Sequence, residues 1–142
     1  MISSNLGKVF QKSNIYETPA WGFKSTPFLN SCIGLKTKFS TKIILTKLQE
    51  IEKELGRQSK TKPGYEARPI DIDIIYSSEG IFNTSNLIVP HPLMQERKFV
   101  LVPLLDIAKE YMHPLLHKTT DELLMDCNDE SEVTLYDGNE LI

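Results

Sequence analysis

Asp71 and Asp73 are the residues of this sequence whose types and spacing most directly imply chemistry. They stand in Arg68-Pro69-Ile70-Asp71-Ile72-Asp73-Ile74-Ile75, an alternation of carboxylates and branched aliphatics that reads as a β-strand. On a strand, side chains alternate faces, so the two carboxylates point together while Ile70, Ile72 and Ile74 pack behind them. Residues i and i+2 lie about 6–7 Å apart at their Cα atoms. That spacing suits one or two hard cations, completed by phosphate oxygens and water. Arg68 is placed to meet the same phosphates from the start of the strand. An amphipathic strand with one solvated face would give the same pattern. Two like charges side by side are unfavourable without a cation or an arginine nearby, which favours the metal site.

A second group is Val89-Pro90-His91-Pro92 followed by Glu96-Arg97-Lys98-Phe99. His91 and Arg97 offer phosphate donors on the two ends of a short turn or helix. A glycine-rich Walker cradle is absent: Gly7-Lys8 is followed by Val9 and lacks the upstream glycine. A nucleotide would therefore be held by metal and side-chain cations, with Arg57, Arg68, His91 and Arg97 as candidates and Lys60 and Lys62 in reach. A third group, Thr18, Pro19, Trp21, Phe28, Asn30 and Phe99, could form an aromatic slot with an amide to read the polar edge of a flat ring. Ordinary core packing accounts for the same aromatics.

The elements that must carry these groups follow from periodicity and punctuation. Lys8 to Glu17 and Phe28 to Thr37 read as strands, and Pro69 to Tyr76 as the clearest, central strand. Ser40 or Thr41 caps a helix ending at Gly56, whose Ile44, Leu48, Ile51 and Leu55 form one apolar seam. Gln49 and Glu52 share a flank beside that seam. Gln58 to Ala67 is a polar loop; Ser78-Glu79-Gly80 makes a turn with a short return through Ile81 and Phe82. Pro92 to Tyr111 contains helix interrupted near Pro103, Asp121 to Asp126 a short helix, and Val133 to Tyr136 a last strand. The pattern predicts an α+β or α/β sandwich.

The chain has 142 residues, 40% hydrophobic and 25% charged, with a net charge of −3. One compact domain over 1–142 is expected, without a general nucleic-acid footprint. Neither a bilayer-spanning run nor a signal peptide is recognisable, so a cytoplasmic protein is expected, with Cys32 and Cys127 as free thiols. Its partners are expected to be small molecules, not a membrane or nucleic acid.

Taken together, from about Lys8 to about Cys127, the motifs resemble the 6-hydroxymethyl-7,8-dihydropterin pyrophosphokinase family of folate synthesis. The resemblance rests on Arg68 to Ile74, the two blocks at 89–92 and 96–99, Ser13-x-x-Tyr16-Glu17-Thr18 with Trp21-Gly22, and Phe28-Leu29-Asn30. It implies a ferredoxin-like α/β sandwich with a mainly antiparallel sheet, and transfer of pyrophosphate from ATP to the pterin hydroxymethyl oxygen with release of AMP. It implies two magnesium ions on Asp71 and Asp73, ATP contacts from Gln49, Glu52, Arg57, Arg68, His91 and Arg97, and a pterin pocket of Thr18, Pro19, Trp21, Phe28, Asn30 and Phe99. Arg68, Asp71, Asp73 and Arg97 would carry the catalysis, Asn30 the pterin edge and Phe99 its face.

Two departures stand out. Ser59 occupies a position where a second basic residue is frequent, and Tyr65 is the aromatic that would close over substrate in a lid-like loop. The resemblance also implies a strand, a turn and a long helix ahead of Lys8, so an N-terminally incomplete sheet is expected, from a shortened fragment, a mis-called start codon or a damaged gene. Two other functions fit the same residues: a non-catalytic remnant that binds nucleotide or a partner chain, and a metal-dependent phosphodiesterase.

Overall fold

In a computed structural model, residues 6–19, 28–59 and 70–136 are described. The class is α+β, and every strand pairing among the described residues is antiparallel, in keeping with the mainly antiparallel sheet expected. The chain divides into two compact units, residues 37–91 and residues 1–36 with 92–142.

The larger unit is built on two small sheets. Strand β1 (Lys8–Lys12) pairs with β4 (Ile33–Lys36), and β2 (Tyr16–Thr18) lies between β3 (Phe28–Asn30) and β7 (Thr134–Leu135). Each expected long strand is thus broken in two. Ser13 and Cys32 mark the corner: Ser13 N–H donates to the Cys32 carbonyl at 2.9 Å, and Cys32 N–H donates to Ser13 Oγ at 2.8 Å. A bulge at Phe10 bends β1 further, and its ring lies over Gly34, where a Cβ would stand 2.9 Å from the ring.

Helix α2 (Lys98–Ala108) packs on β1, β2, β3 and on α3 (Thr120–Asp126). Sequence predicted an interruption near Pro103, yet α2 runs through it. Proline removes one helical N–H, but Pro103, Leu101 and Leu104 are buried, and that apolar contact offsets the lost bond. Helix α3 carries a full capping box between Thr119 and Glu122. Between the helices His113 is buried, and its Nδ1 accepts the N–H groups of Leu115 at 3.1 Å and Leu116 at 3.0 Å. Burial, and then the nearby His117, hold its pKa below the usual histidine range. A ring nitrogen that accepts two bonds must stay unprotonated, which is a structural role.

In the smaller unit, helix α1 (Thr41–Ser59) buries Ile44, Leu48 and Ile51 of the expected seam, leaves Leu55 half-buried, and runs three residues past Gly56. Its N-terminus is clasped by a residue from a distant turn. Glu79 accepts the Thr41 N–H at 2.6 Å and also the Thr41 hydroxyl, and Ser77 Oγ lies 2.6 Å from that hydroxyl. A carboxylate there meets an unsatisfied helical N–H and the positive end of the helix dipole. Those bonds lower the Glu79 pKa. Gly80 closes the turn at φ +110, a backbone conformation that favours glycine. Strands β5 (Phe82–Asn83) and β6 (Ile88–Val89) form a short hairpin, with Leu87 and Val89 buried.

The expectation for Pro69 to Tyr76 is corrected. Among the described residues, 70–77 belongs to no strand ladder. Its backbone bonds go elsewhere: Ile72 N–H donates to Glu52 Oε2 at 2.6 Å, and the Ile75 carbonyl accepts His91 N–H at 3.1 Å. Alternation predicts which side chains face water, but a ladder needs a neighbouring strand, which alternation does not supply.

Candidate active site

In the smaller unit the carboxylate pair lies on a segment that joins no strand ladder among the described residues. Asp71 and Asp73 are exposed while Ile72 and Ile74 between and after them are half-buried, so exposure alternates although no ladder forms. Val89 and Pro90, joined by a cis peptide bond, are buried and lead directly into His91. With its N–H on the Ile75 carbonyl, His91 sets its Nε2 3.9 Å from Asp73 Oδ2. Only 18% of the His91 side chain is exposed, against 55% for Asp73. The imidazole is therefore held by its surroundings while the carboxylate faces water.

Glu52 reaches this segment from α1 through the Ile72 N–H, the amide between the two aspartates. That bond anchors the segment to the helix. Gln49, on the same flank, is exposed. Arg57 lies in α1, but its side chain is outside the described residues, as are Arg68, Lys60, Lys62 and Tyr65. A depression of about 400 Å³ on α1, lined by Lys42, Ile43, Thr46, Lys47 and Glu50, contains none of the predicted residues.

Do these groups suit a metal? Among the described residues, no cluster of three or more His, Cys, Asp or Glu is arranged to hold an ion. An all-protein cage is thus not formed there. Two water-facing carboxylates with oxygen donors suit a hard cation that takes its other ligands from phosphate and solvent, as magnesium does. The donor set fits that mode.

In the larger unit the register of β2 and β3 gathers the ring-binding candidates. Thr18 stands opposite Phe28 and Tyr16 opposite Asn30, so all four side chains leave the same face. Thr18 is buried, Phe28 is half exposed and Pro19 is exposed; Trp21 lies outside the described residues. Asn30 Nδ2 is buried and has no hydrogen-bond partner among the described residues. An orphaned amide donor inside a protein is costly unless something else fills it.

Helix α2 closes on the same face. Asp106 Oδ2 accepts the Tyr16 hydroxyl at 2.7 Å and the Asn14 N–H at 3.1 Å. Burial, then the bond to Asp106, raises the Tyr16 pKa. Phe99 precedes Asp106 by seven residues, which at about 100° per residue puts both on one side of the helix. Arg97, just before α2, has its guanidinium carbon 5.7 Å from the Phe99 ring centroid. Burial, with the charge of Asp106 second, pushes the Cys32 thiol up to about 12, which disfavours the thiolate. Sequence reasoning missed Asp106, and no local signal marks a residue whose partners lie about 90 positions away.

The fold and these two groups describe an α+β protein with a pair of water-facing carboxylates in one unit and, in the other, a sheet face that carries a buried amide. Residues 1–109 match the model of the 7,8-dihydro-6-hydroxymethylpterin-pyrophosphokinase family. The chain is 42% identical over 117 residues to a 2-amino-4-hydroxy-6-hydroxymethyldihydropteridine pyrophosphokinase of Porphyromonas gingivalis, covering 80% of this chain and 79% of that protein. It is 39% identical over 111 residues to the protein of the same name from Aquifex aeolicus, covering 78% and 68%. A folic acid synthesis protein of Pneumocystis carinii is 42% identical over 109 residues, 76% of this chain but 14% of that longer protein. The chain belongs to the 7,8-dihydro-6-hydroxymethylpterin-pyrophosphokinase family, and with it to the diphosphokinases.

Proposed function

We propose that the chain transfers pyrophosphate from ATP to 6-hydroxymethyl-7,8-dihydropterin in folate biosynthesis, as one domain over 1–142 in the cytoplasm. The hydroxymethyl oxygen attacks the β-phosphorus, the bond from that phosphorus to the α-phosphate's bridging oxygen breaks, and AMP leaves. The hydroxyl proton is lost to solvent or phosphate.

Roles divide between the units. Asp71 and Asp73 would hold two magnesium ions, and their exposure on either side of the half-buried Ile72 supports this. When bound, such ions neutralise phosphate charge and orient the reacting groups. His91, held beside Asp73, donates to a phosphate oxygen, with Gln49, Glu52, Arg57 and Arg68 as further ATP contacts. Glu52 acts through its grip on the Ile72 amide as well. Arg97 stabilises charge on the departing AMP. Thr18, Pro19, Trp21, Phe28 and Phe99 enclose the pterin, and Asn30 reads its polar edge. The observation that carries the reading is the buried Asn30 Nδ2, without a hydrogen-bond partner among the described residues, on the face shared with Thr18 and Phe28, because a pterin edge would supply an acceptor.

The test is AMP formation from ATP by the purified chain. The proposal expects a strict requirement for both magnesium and the hydroxymethyl pterin. AMP formed without pterin would favour a phosphodiesterase. ATP binding without any AMP would favour a non-catalytic remnant.

A further inference from the structure

Arg97 and Phe99 leave the backbone on either side of one residue, Lys98, the first of helix α2. A helix start has unsatisfied N–H groups and a partial positive charge, so a cationic pair at 97–98 is poorly suited to it. Arg97 is extended, at φ −123 and ψ 103, and its side chain provides no cap. The missing cap comes from Asp129, whose Oδ2 accepts the Lys98 N–H at 2.9 Å. Asp129 is itself held by Ser131, whose N–H (2.9 Å) and hydroxyl (2.5 Å) both donate to Oδ1. These bonds, the Ser131 hydroxyl foremost and then the Lys98 amide, keep the Asp129 carboxyl below its usual range. Asp129 lies beyond residues 1–109, so the family match assigns it nothing.

We infer that Asp129 is a positioning residue: by capping Lys98 it fixes the directions in which Arg97 reaches phosphate and Phe99 faces the pterin. This rests on the roles proposed above for Arg97 and Phe99.

The experiment compares the full-length wild type with Asp129→Ala, Asp129→Asn and Thr119→Ala. Thr119→Ala removes the cap of α3, so it controls for a lost helix cap away from Arg97 and Phe99. Kinetics are measured for both substrates at a temperature where every variant is folded, with thermal unfolding and amide exchange at Lys98 and Phe99 alongside. Asp129→Ala is expected to lose about tenfold in kcat/KM, since small misplacements of positioning groups are costly, and to speed exchange at Lys98. Asp129→Asn keeps one side-chain oxygen for the Lys98 amide and should recover most of the rate. Thr119→Ala should lose thermal stability and keep its kcat/KM. Equal rates in wild type and Asp129→Ala overturn the inference alone. So does a loss in Asp129→Ala that Thr119→Ala matches in proportion to unfolding. A wild-type chain that makes no AMP overturns the functional reading and this inference together.

Discussion

The two units solve opposite problems with the same kind of group. In residues 37–91, charge is set out in water: Asp71 and Asp73 are exposed, and the bonds from Glu52 and His91 go to the backbone that carries them. In the other unit a polar group is buried: the Asn30 Nδ2 is enclosed and has no hydrogen-bond partner among the described residues, while the nearby Tyr16 hydroxyl is tied to Asp106 at the surface. A cation site that shares its ligands with phosphate must stay open to solvent. A ring reader gains discrimination from the reverse arrangement, because a buried donor without its partner penalises the wrong ligand. The difference teaches that the roles proposed for Asp71 and Asp73 depend on their exposure, and the role proposed for Asn30 on its burial.

The largest expected effect is at the exposed pair. Asp71→Asn and Asp73→Asn should each lower kcat by about 10²–10³-fold with little change in the thermal midpoint, because water-facing carboxylates contribute little to packing. Activity that survives either change removes the metal from the smaller unit and breaks the comparison. Next comes Asn30→Leu, expected to raise the pterin KM about tenfold, the cost of roughly one lost hydrogen bond, while the ATP KM holds. The free protein should be no less stable, since an unpartnered amide is being replaced. A shift in the ATP KM instead would undo the assignment of the ring to the larger unit.

Smaller effects separate the two frameworks. Asp106→Ala should destabilise by about 1 kcal/mol, a value kept low because the bond is solvent-exposed, with a modest rise in pterin KM. Thermal unfolding and kinetics together check it. The mildest prediction concerns acid. His113 and Glu79 both have lowered pKa values in the folded state. Each contribution is therefore complete above the unfolded pKa and lost as pH falls through the folded one. Histidine titrates first, so the turn at 113–118 should loosen below the usual histidine range, and the Glu79 clasp only below the usual glutamate range. Residue-resolved amide exchange across pH 3–8 reads both, a range spanning the ordinary carboxylate and histidine values. Simultaneous loss would show that these turns do not open independently.

Much of this was legible because it is local. Ile44, Leu48 and Ile51 announced the buried side of α1, and the turn at 78–80 its glycine. From Asp71 to Ile74 the alternation separated wet from dry side chains, but Ile70, expected to pack behind them, is exposed, and among the described residues the ladder it implied is not formed, since a strand's partner lies outside its own sequence. Pro103 misled for a related reason: proline's local penalty is real, but buried contacts from other elements overrode it.

By itself the sequence named the candidates for the chemistry, the Asp71 and Asp73 pair, the His91 and Arg97 donors and the set around Asn30, together with the family that their order resembles, which the comparisons bear out. Only tertiary structure decided who holds them. Asp106 meets Tyr16 across 90 positions, Asp129 caps Lys98 across 31, and Glu79 clasps Thr41 across 38. Side-chain type and short-range period are written in adjacent residues, whereas a hydrogen bond between distant segments exists only once the packing of other elements has brought its two ends together.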